Sequence, residues 1–219
     1  MKIQTNMNNL LGESLYKRDL LTEYRQRILH LFPIQLKEDV ERVIDVMPLE
    51  EEIYIESFGS KYKIENAIHS ESIVIILQNE EITLTGRIFF NEPNVQIESQ
   101  LTETQKQILN CIYCRHFDGY IREKRLRNLI LIDHFWVLPF KLQLLGEFVI
   151  EILDELNKHI TEENASHFKR LILENKKYWL QTKSRMVSWW DADYRFPNHK
   201  KLNDYIGTKI MKRINRAKV

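Results

Sequence analysis

The chain has 219 residues, a formal net charge of +1, 43% hydrophobic residues and 11% aromatic ones. That is enough apolar side chain for a real core, which excludes global disorder, and the near-neutral total by itself implies no preference for nucleic acid or membrane. With 6 Gly and 5 Pro the chain favours long regular elements over a loop-rich fold.

Residues 1–9 read as a frayed end. From Gly12 to Leu31 apolar positions recur at three- and four-residue steps, which predicts an amphipathic helix. Phe32-Pro33 stops it, because proline lacks a backbone donor and disfavours helix in the residue before it. A shorter helix, Leu36 to Met47, ends at Pro48. The period then drops to two: Ile53 to Phe58, Tyr62 to Ile64, Ile73 to Leu77 and Ile82 to Phe90 read as strands separated by Gly59-Ser60 and by Gln78 to Glu81. Their order predicts a small antiparallel β-meander, closed near Pro93.

Beyond residue 100 the periodicity is helical. Thr102 with Gln105 fits a capping box ahead of a helix to about His116. Asp118-Gly119 breaks the chain, and a helix from Tyr120 to Ile132 follows. Pro139 suits the first turn of a long helix reaching about Ile160, with Leu142, Leu145, Val149, Ile152 and Leu156 inward and Glu147, Glu151, Asp154 and Lys158 on a wet stripe. A helix from about Thr161 to Tyr194 and, after Pro197, a last one from Lys201 to Arg216 complete the reading. The fold class expected is α+β, mainly α: N-terminal helices and the meander in 1–99, and a C-terminal bundle of about five helices in 100–219.

Charge is unevenly placed. Residues 38–103 hold fifteen Asp/Glu against four Lys/Arg, a net −11, and residues 195–219 hold eight Lys/Arg against Asp204, a net +7. This predicts either a basic tail that reaches a polyanion or two parts of one protein that attract each other, and attraction at short range favours the second. No export signal is recognisable at Met1 to Leu11, and Leu129 to Leu156 carries Asp133, Lys141, Glu147 and Glu151, so it does not read as a membrane span. With two cysteines this points to a reducing cytoplasm.

Each chemical motif has a plainer reading beside it. Cys111 and Cys114 lack the second ligand pair of a zinc site and lie deep in a helix, so they read as small buried hydrophobes and no metal or cofactor is expected. The seven histidines (30, 69, 116, 134, 159, 167, 199) never pair at metalloprotease spacing, and no glycine-rich phosphate cradle appears. Arg115, Arg122, Lys124, Arg125 and Arg127 read as a solvated face with one structural arginine. That arginine is Arg122, four residues before Leu126 on the apolar face, and its carboxylate partner is expected among Glu147, Glu151 and Asp118, Glu147 first. Trp189, Trp190 and Tyr194, at a helix end, close the core against the last helix or form an interaction surface.

The segments Arg115 to Leu126 and Leu138 to Ile152, and loosely Ser188 to Arg195, resemble an uncharacterised bacterial protein family with a HEAT-like helical hairpin. The resemblance implies a helical scaffold and no activity. The function expected is therefore a non-enzymatic cytoplasmic protein-interaction or scaffold protein that meets a protein partner with its helical surface. The alternative is nucleic-acid binding by the basic last helix, through Lys209, Lys212, Arg213, Arg216 and Lys218. A third reading is an enzyme with a site near His116, Asp118 and Glu147.

Overall fold

The computed structural model describes residues 2–196 and 200–219, with side chains from Tyr16 onward; Pro197 and His199 lie outside the described residues. The fold is α+β and mainly α. Helix α1 (Lys2–Leu29) runs through residues 2–9 of the stretch read as frayed, and α2 (Lys37–Val46) follows a 3-10 turn. Strands β1 (Ile53–Ser57), β2 (Ser60–Ile64), β3 (Ser72–Leu77) and β4 (Glu80–Thr85) come next, then a short α3 (Val95–Glu98). The remaining helices are α4 (Glu103–Tyr113), α5 (Gly119–Arg127), α6 (Leu138–Gln143), α7 (Ile150–His159), α8 (Ala165–Glu174), α9 (Lys176–Trp189) and α10 (Ile206–Arg216). The core is continuous from Tyr24 to Ile214, so apolar packing passes across residue 99 without interruption.

The four strands form two separate two-stranded ladders, β1–β2 and β3–β4, and not one meander. Each hairpin turns on two residues of positive φ, Phe58-Gly59 and Gln78-Asn79, the turn geometry that matches strand twist. Past β4 the chain stays extended but leaves its partner. Residues 86–90 are threaded between 67–69 and 115–117: the Ile88 amide donates to the Arg115 carbonyl (3.0 Å), and the Phe89 amide to that of Ala67 (2.8 Å). Gly86, Ile88 and Phe90 face inward, so Arg87 faces the other way, toward the helical half.

The capping box forms: the Gln105 amide donates to Thr102 Oγ1 (3.3 Å), and the Thr102 amide to Gln105 Oε1 (3.1 Å). Three predicted helices are broken, and the last one, read from Lys201, begins only at Ile206 after a 3-10 turn (Leu202–Asp204) and the extended Tyr205 (ψ 136°). The Tyr120–Ile132 helix stops at Arg127, and Leu131 takes φ +62°. The long Pro139–Ile160 helix divides into α6 and α7, joined by a 3-10 turn (Leu144–Gly146) and the extended Glu147 (ψ 155°). The Thr161–Tyr194 helix divides at Asn175, whose side chain bonds the backbone of Ile76 on the edge of β3. At Glu147 and at Asn175 a tertiary partner outweighs one or two helical hydrogen bonds.

Among the described residues, no ion pair joins the acidic segment to the basic one. The 38–103 carboxylates bind Arg25, Lys37, Lys63, Lys124, Arg125 and Arg185, while Arg213 of α10 meets Asn157, Ile160 and Glu162. Helix α10 docks on α7 and α8 with Ile210 and Ile214 buried, preceded by Tyr205, which stacks on Tyr194 at 5.5 Å. No described helix is long and apolar enough to cross a membrane.

Candidate functional site: a carboxylate ringed by arginines

Glu147 sits where the predicted long helix fails. Gly146 before it is a weak helix former, and its own extended backbone turns the carboxylate away from solvent. It is 2% exposed, which corrects its assignment to the wet stripe; Glu151, the second residue of α7, is exposed.

Three guanidiniums surround that carboxylate. Arg87 donates through both terminal nitrogens, Nη1 to Oε1 and Nη2 to Oε2, each 2.7 Å. Arg115 Nη1 donates to Oε1 at 3.1 Å, while its Nε and Nη2 hold the Gly86 carbonyl. Arg122 Nη2 lies 3.2 Å from Oε2, and its Nη1 donates to the carbonyls of His116 and Phe117, 2.8 Å each. Arg122 Nε has no hydrogen-bond partner. The side chains of Arg115 and Arg122 are 5% and 1% exposed, that of Arg87 27%.

Electrostatics follow from this ratio. Burial alone would raise the Glu147 carboxyl, but the Arg87 hydrogen bonds and the three positive charges outweigh it and hold it below the usual value. Arg115 moves down to about 10, first through burial; Glu147 opposes the shift, and repulsion from Arg87 and Arg122 adds to it. One carboxylate against three guanidiniums leaves two positive charges in excess, a costly arrangement away from water.

The cluster opens on a cleft of about 380 Å³. One wall is the α9 face carrying Ser184, Arg185, Ser188 and Trp189; the other is His69, Glu71, Gly86 and Arg87. Arg185 is ion-paired with Glu71 at the mouth, both partly exposed. Gln143 lines the floor: its Nε2 donates to the Thr85 carbonyl (3.0 Å), and its Oε1, buried, has no partner. At the rim Trp189 and Phe148 lie 5.2 Å apart, 38% and 44% exposed.

His116 and Asp118 do not join Glu147 in an acid–base set. His116 Nδ1 accepts the Asp118 amide and Nε2 faces the Phe90 carbonyl, 3.1 Å each, and burial lowers the imidazole's affinity for a proton. Asp118 Oδ1 caps α5 by accepting the Tyr120 amide at 2.8 Å. The run read as a solvated face with one structural arginine holds three buried ones, since Arg125 is enclosed by Glu92, Glu98 and the Tyr113 ring. Lys124 and Arg127 are exposed.

Of the remaining predicted residues, Trp190 is half-buried under Arg195, and Tyr194 donates its hydroxyl proton to the Phe148 carbonyl. Lys212 and Arg216 lie on α10, away from the cleft lining, and Arg213 is held by the Asn157 and Ile160 carbonyls. Cys111 and Cys114 are buried thiols, and burial pushes Cys114 up to about 12. Sequence reading missed Arg87, Gln143 and Arg185, and placed Arg115 on a solvated face. The one local signal was Arg115 itself, directly after the wholly apolar stretch that ends α4. Compared with protein-family models, curated proteins and solved structures, the chain matches none.

Proposed function

We propose that this is a non-enzymatic cytoplasmic interaction protein that meets a protein partner with the face around the cleft mouth. One observation carries the reading: Phe148, in the loop before α7, and Trp189, at the end of α9, form an exposed aromatic pair. Paired aromatics held in place and rimmed by charge are the composition of a binding hot spot, since they bury large area at little conformational cost. Arg185 and Glu71 beside them supply the polar rim. The enzyme reading loses support because His116 and Asp118 are committed to backbone groups and Glu147 to arginines.

The test is site-specific photo-crosslinking in cells. A photoreactive residue at Phe148 or Trp189 is expected to capture one partner that the same residue at Phe58, on the tip of the first hairpin, does not. The same products from both positions, or none from Phe148 and Trp189, would refute the proposal. Retention on a polyanion with a steep salt dependence, lost on neutralising Lys209, Lys212 and Arg216, would favour nucleic-acid binding by α10 instead.

A further inference from the structure

We propose that the arginine-walled cleft is a binding site for a phosphate monoester, whose dianionic group sits against Arg87 and Arg115 beside Arg185. The proposal rests on the buried cluster and on Gln143, not on the partner-binding reading, although both use Arg185 and Trp189 at the mouth.

Charge is the first argument. Three guanidiniums within 3.2 Å of Glu147 face one carboxylate, so two positive charges lack a counter-charge in the innermost shell. Asp118 attracts Arg122 only from beyond ion-pair range, and the Glu71–Arg185 pair at the mouth is neutral as a unit. A phosphate monoester carries about −1.5 to −2 charges near neutral pH, which matches that excess, whereas a carboxylate supplies half of it. Buried guanidiniums cannot shed their charge to relieve the imbalance as a lysine could.

Geometry is the second. Arg87 and Arg115 both line the cleft, with Arg122 one layer behind Glu147, so the field of all three points into the same space. Arg87 keeps Nε, and Arg115 the second proton of Nη1, outside the bonds described above, in the planar fork that suits phosphate oxygens. Ser184 and Ser188, one helical turn apart on α9, place two hydroxyls on the opposite wall.

Gln143 is the third and independent argument. It is 7% exposed, lines the cleft floor, and its Oε1 accepts no hydrogen bond. Its Nε2 is committed to the Thr85 carbonyl, so the amide cannot turn without setting two carbonyl oxygens against each other. A buried acceptor of this kind calls for a donor from the occupant, which the hydroxyl of a hydroxylated ester supplies. The cleft volume of about 380 Å³ is within the range of small-ligand sites, far more than phosphate alone requires, and Trp189 offers apolar area to the organic part.

The test is isothermal titration calorimetry of the full chain with inorganic phosphate, at ionic strength matched with chloride and with acetate. Saturable phosphate binding that acetate does not reproduce is expected; heats and thermal stability indistinguishable from those in chloride would overturn the proposal. A hydroxylated small ester such as glycerol phosphate and a phosphoserine peptide then separate the sources. Tighter binding of the free ester assigns a metabolite, tighter binding of the peptide assigns a phosphorylated chain, and no binding of either overturns the site. Arg87→Gln should weaken phosphate by about tenfold or more, the effect of one charge-assisted contact. Should that variant fold poorly, Glu71→Gln keeps the test open, because it changes an exposed residue and frees Arg185. Phosphate must then bind more tightly than to the wild type, and unchanged or weaker binding overturns the assignment. Lys209→Gln, on α10, should leave the affinity unchanged.

Discussion

Asn175 binds Ile76 as though it were one more strand. The Ile76 amide donates to Asn175 Oδ1 and Asn175 Nδ2 donates to the Ile76 carbonyl, each at 2.7 Å, across 99 residues of sequence. A backbone kink at Asn175 (φ −126°, ψ 56°) divides α8 from α9 and aims the side chain at the open edge of β3. One residue thus covers a strand edge and fixes the angle at which α9 reaches the cleft. Asn175→Ala should cost about 1–3 kcal/mol, because two backbone groups of an edge strand lose their partner. Hydrogen exchange at the Ile76 amide should accelerate in the variant; unchanged protection would show the contact to be incidental.

Arg122→Ala and Lys124→Ala lie on the same helix and should behave very differently. Removing Arg122 strands Glu147 contacts and two carbonyls at a site 1% exposed, so a loss of about 3–5 kcal/mol is expected. Lys124 pairs with Glu92 on the surface, at 59% side-chain exposure, and its loss should cost under about 1 kcal/mol. Denaturant melts of the two variants make the comparison, and equal small losses would contradict the buried cluster.

Acid should destabilise the protein before its carboxylates titrate. His159 is buried, and burial first, then the charge of Lys141, lowers its pKa from 6.5 to about 4, with Glu155 and Asp133 opposing. Burial likewise lowers His116. In the unfolded chain both imidazoles protonate near 6.5, while the folded protein keeps them neutral. Stability is therefore complete above that value and falls as pH drops toward about 4, by up to about 1.4 kcal/mol per pH unit for each group. Glu147 and Glu155, whose folded values are lowered, lose their contribution only below about 4.5, so the window above it isolates the histidines. Urea midpoints between pH 6.5 and 4.5 should flatten in His159→Gln, and an unchanged slope would remove His159 from the account.

Gly207→Ala should loosen the last helix. A Cβ built at Gly207 lies 2.8 Å from Met186 Cγ and Sδ and 3.0 Å from the Tyr205 ring, so α10 must shift or Met186 must move. Overpacking of this kind costs about 1–3 kcal/mol, and the flexible thioether places this site at the low end. The unfolding midpoint reports it, as it should report removal of residues 198–219, which carry the buried Tyr205, Ile210 and Ile214. An undisturbed midpoint in the truncated chain would mean that α10 adds nothing to the core.

Local chemistry was legible without coordinates. The Thr102–Gln105 box, the Asp118-Gly119 break, the turns at Gly59 and at Gln78-Asn79 and the extended run from Ile82 to Phe90 depend on residues within a few positions of each other, where period and hydrogen-bonding reach act directly. The same local logic placed Arg122 on an apolar face. It failed wherever a distant group decided the outcome. Period alone reads Glu147 as solvent-facing, since a carboxylate is buried only when partners offset its desolvation, and those partners stand at 87, 115 and 122. Asn175 reads as mid-helix until β3 presents an unpaired edge. Sequence by itself determined the helix-rich class, the caps and the strand phases, because these are set by neighbours along the chain. The two separate ladders, the three broken helices and the arginine cleft were decided by tertiary structure, since each balances a few kcal/mol of local preference against contacts that exist only after the chain has folded.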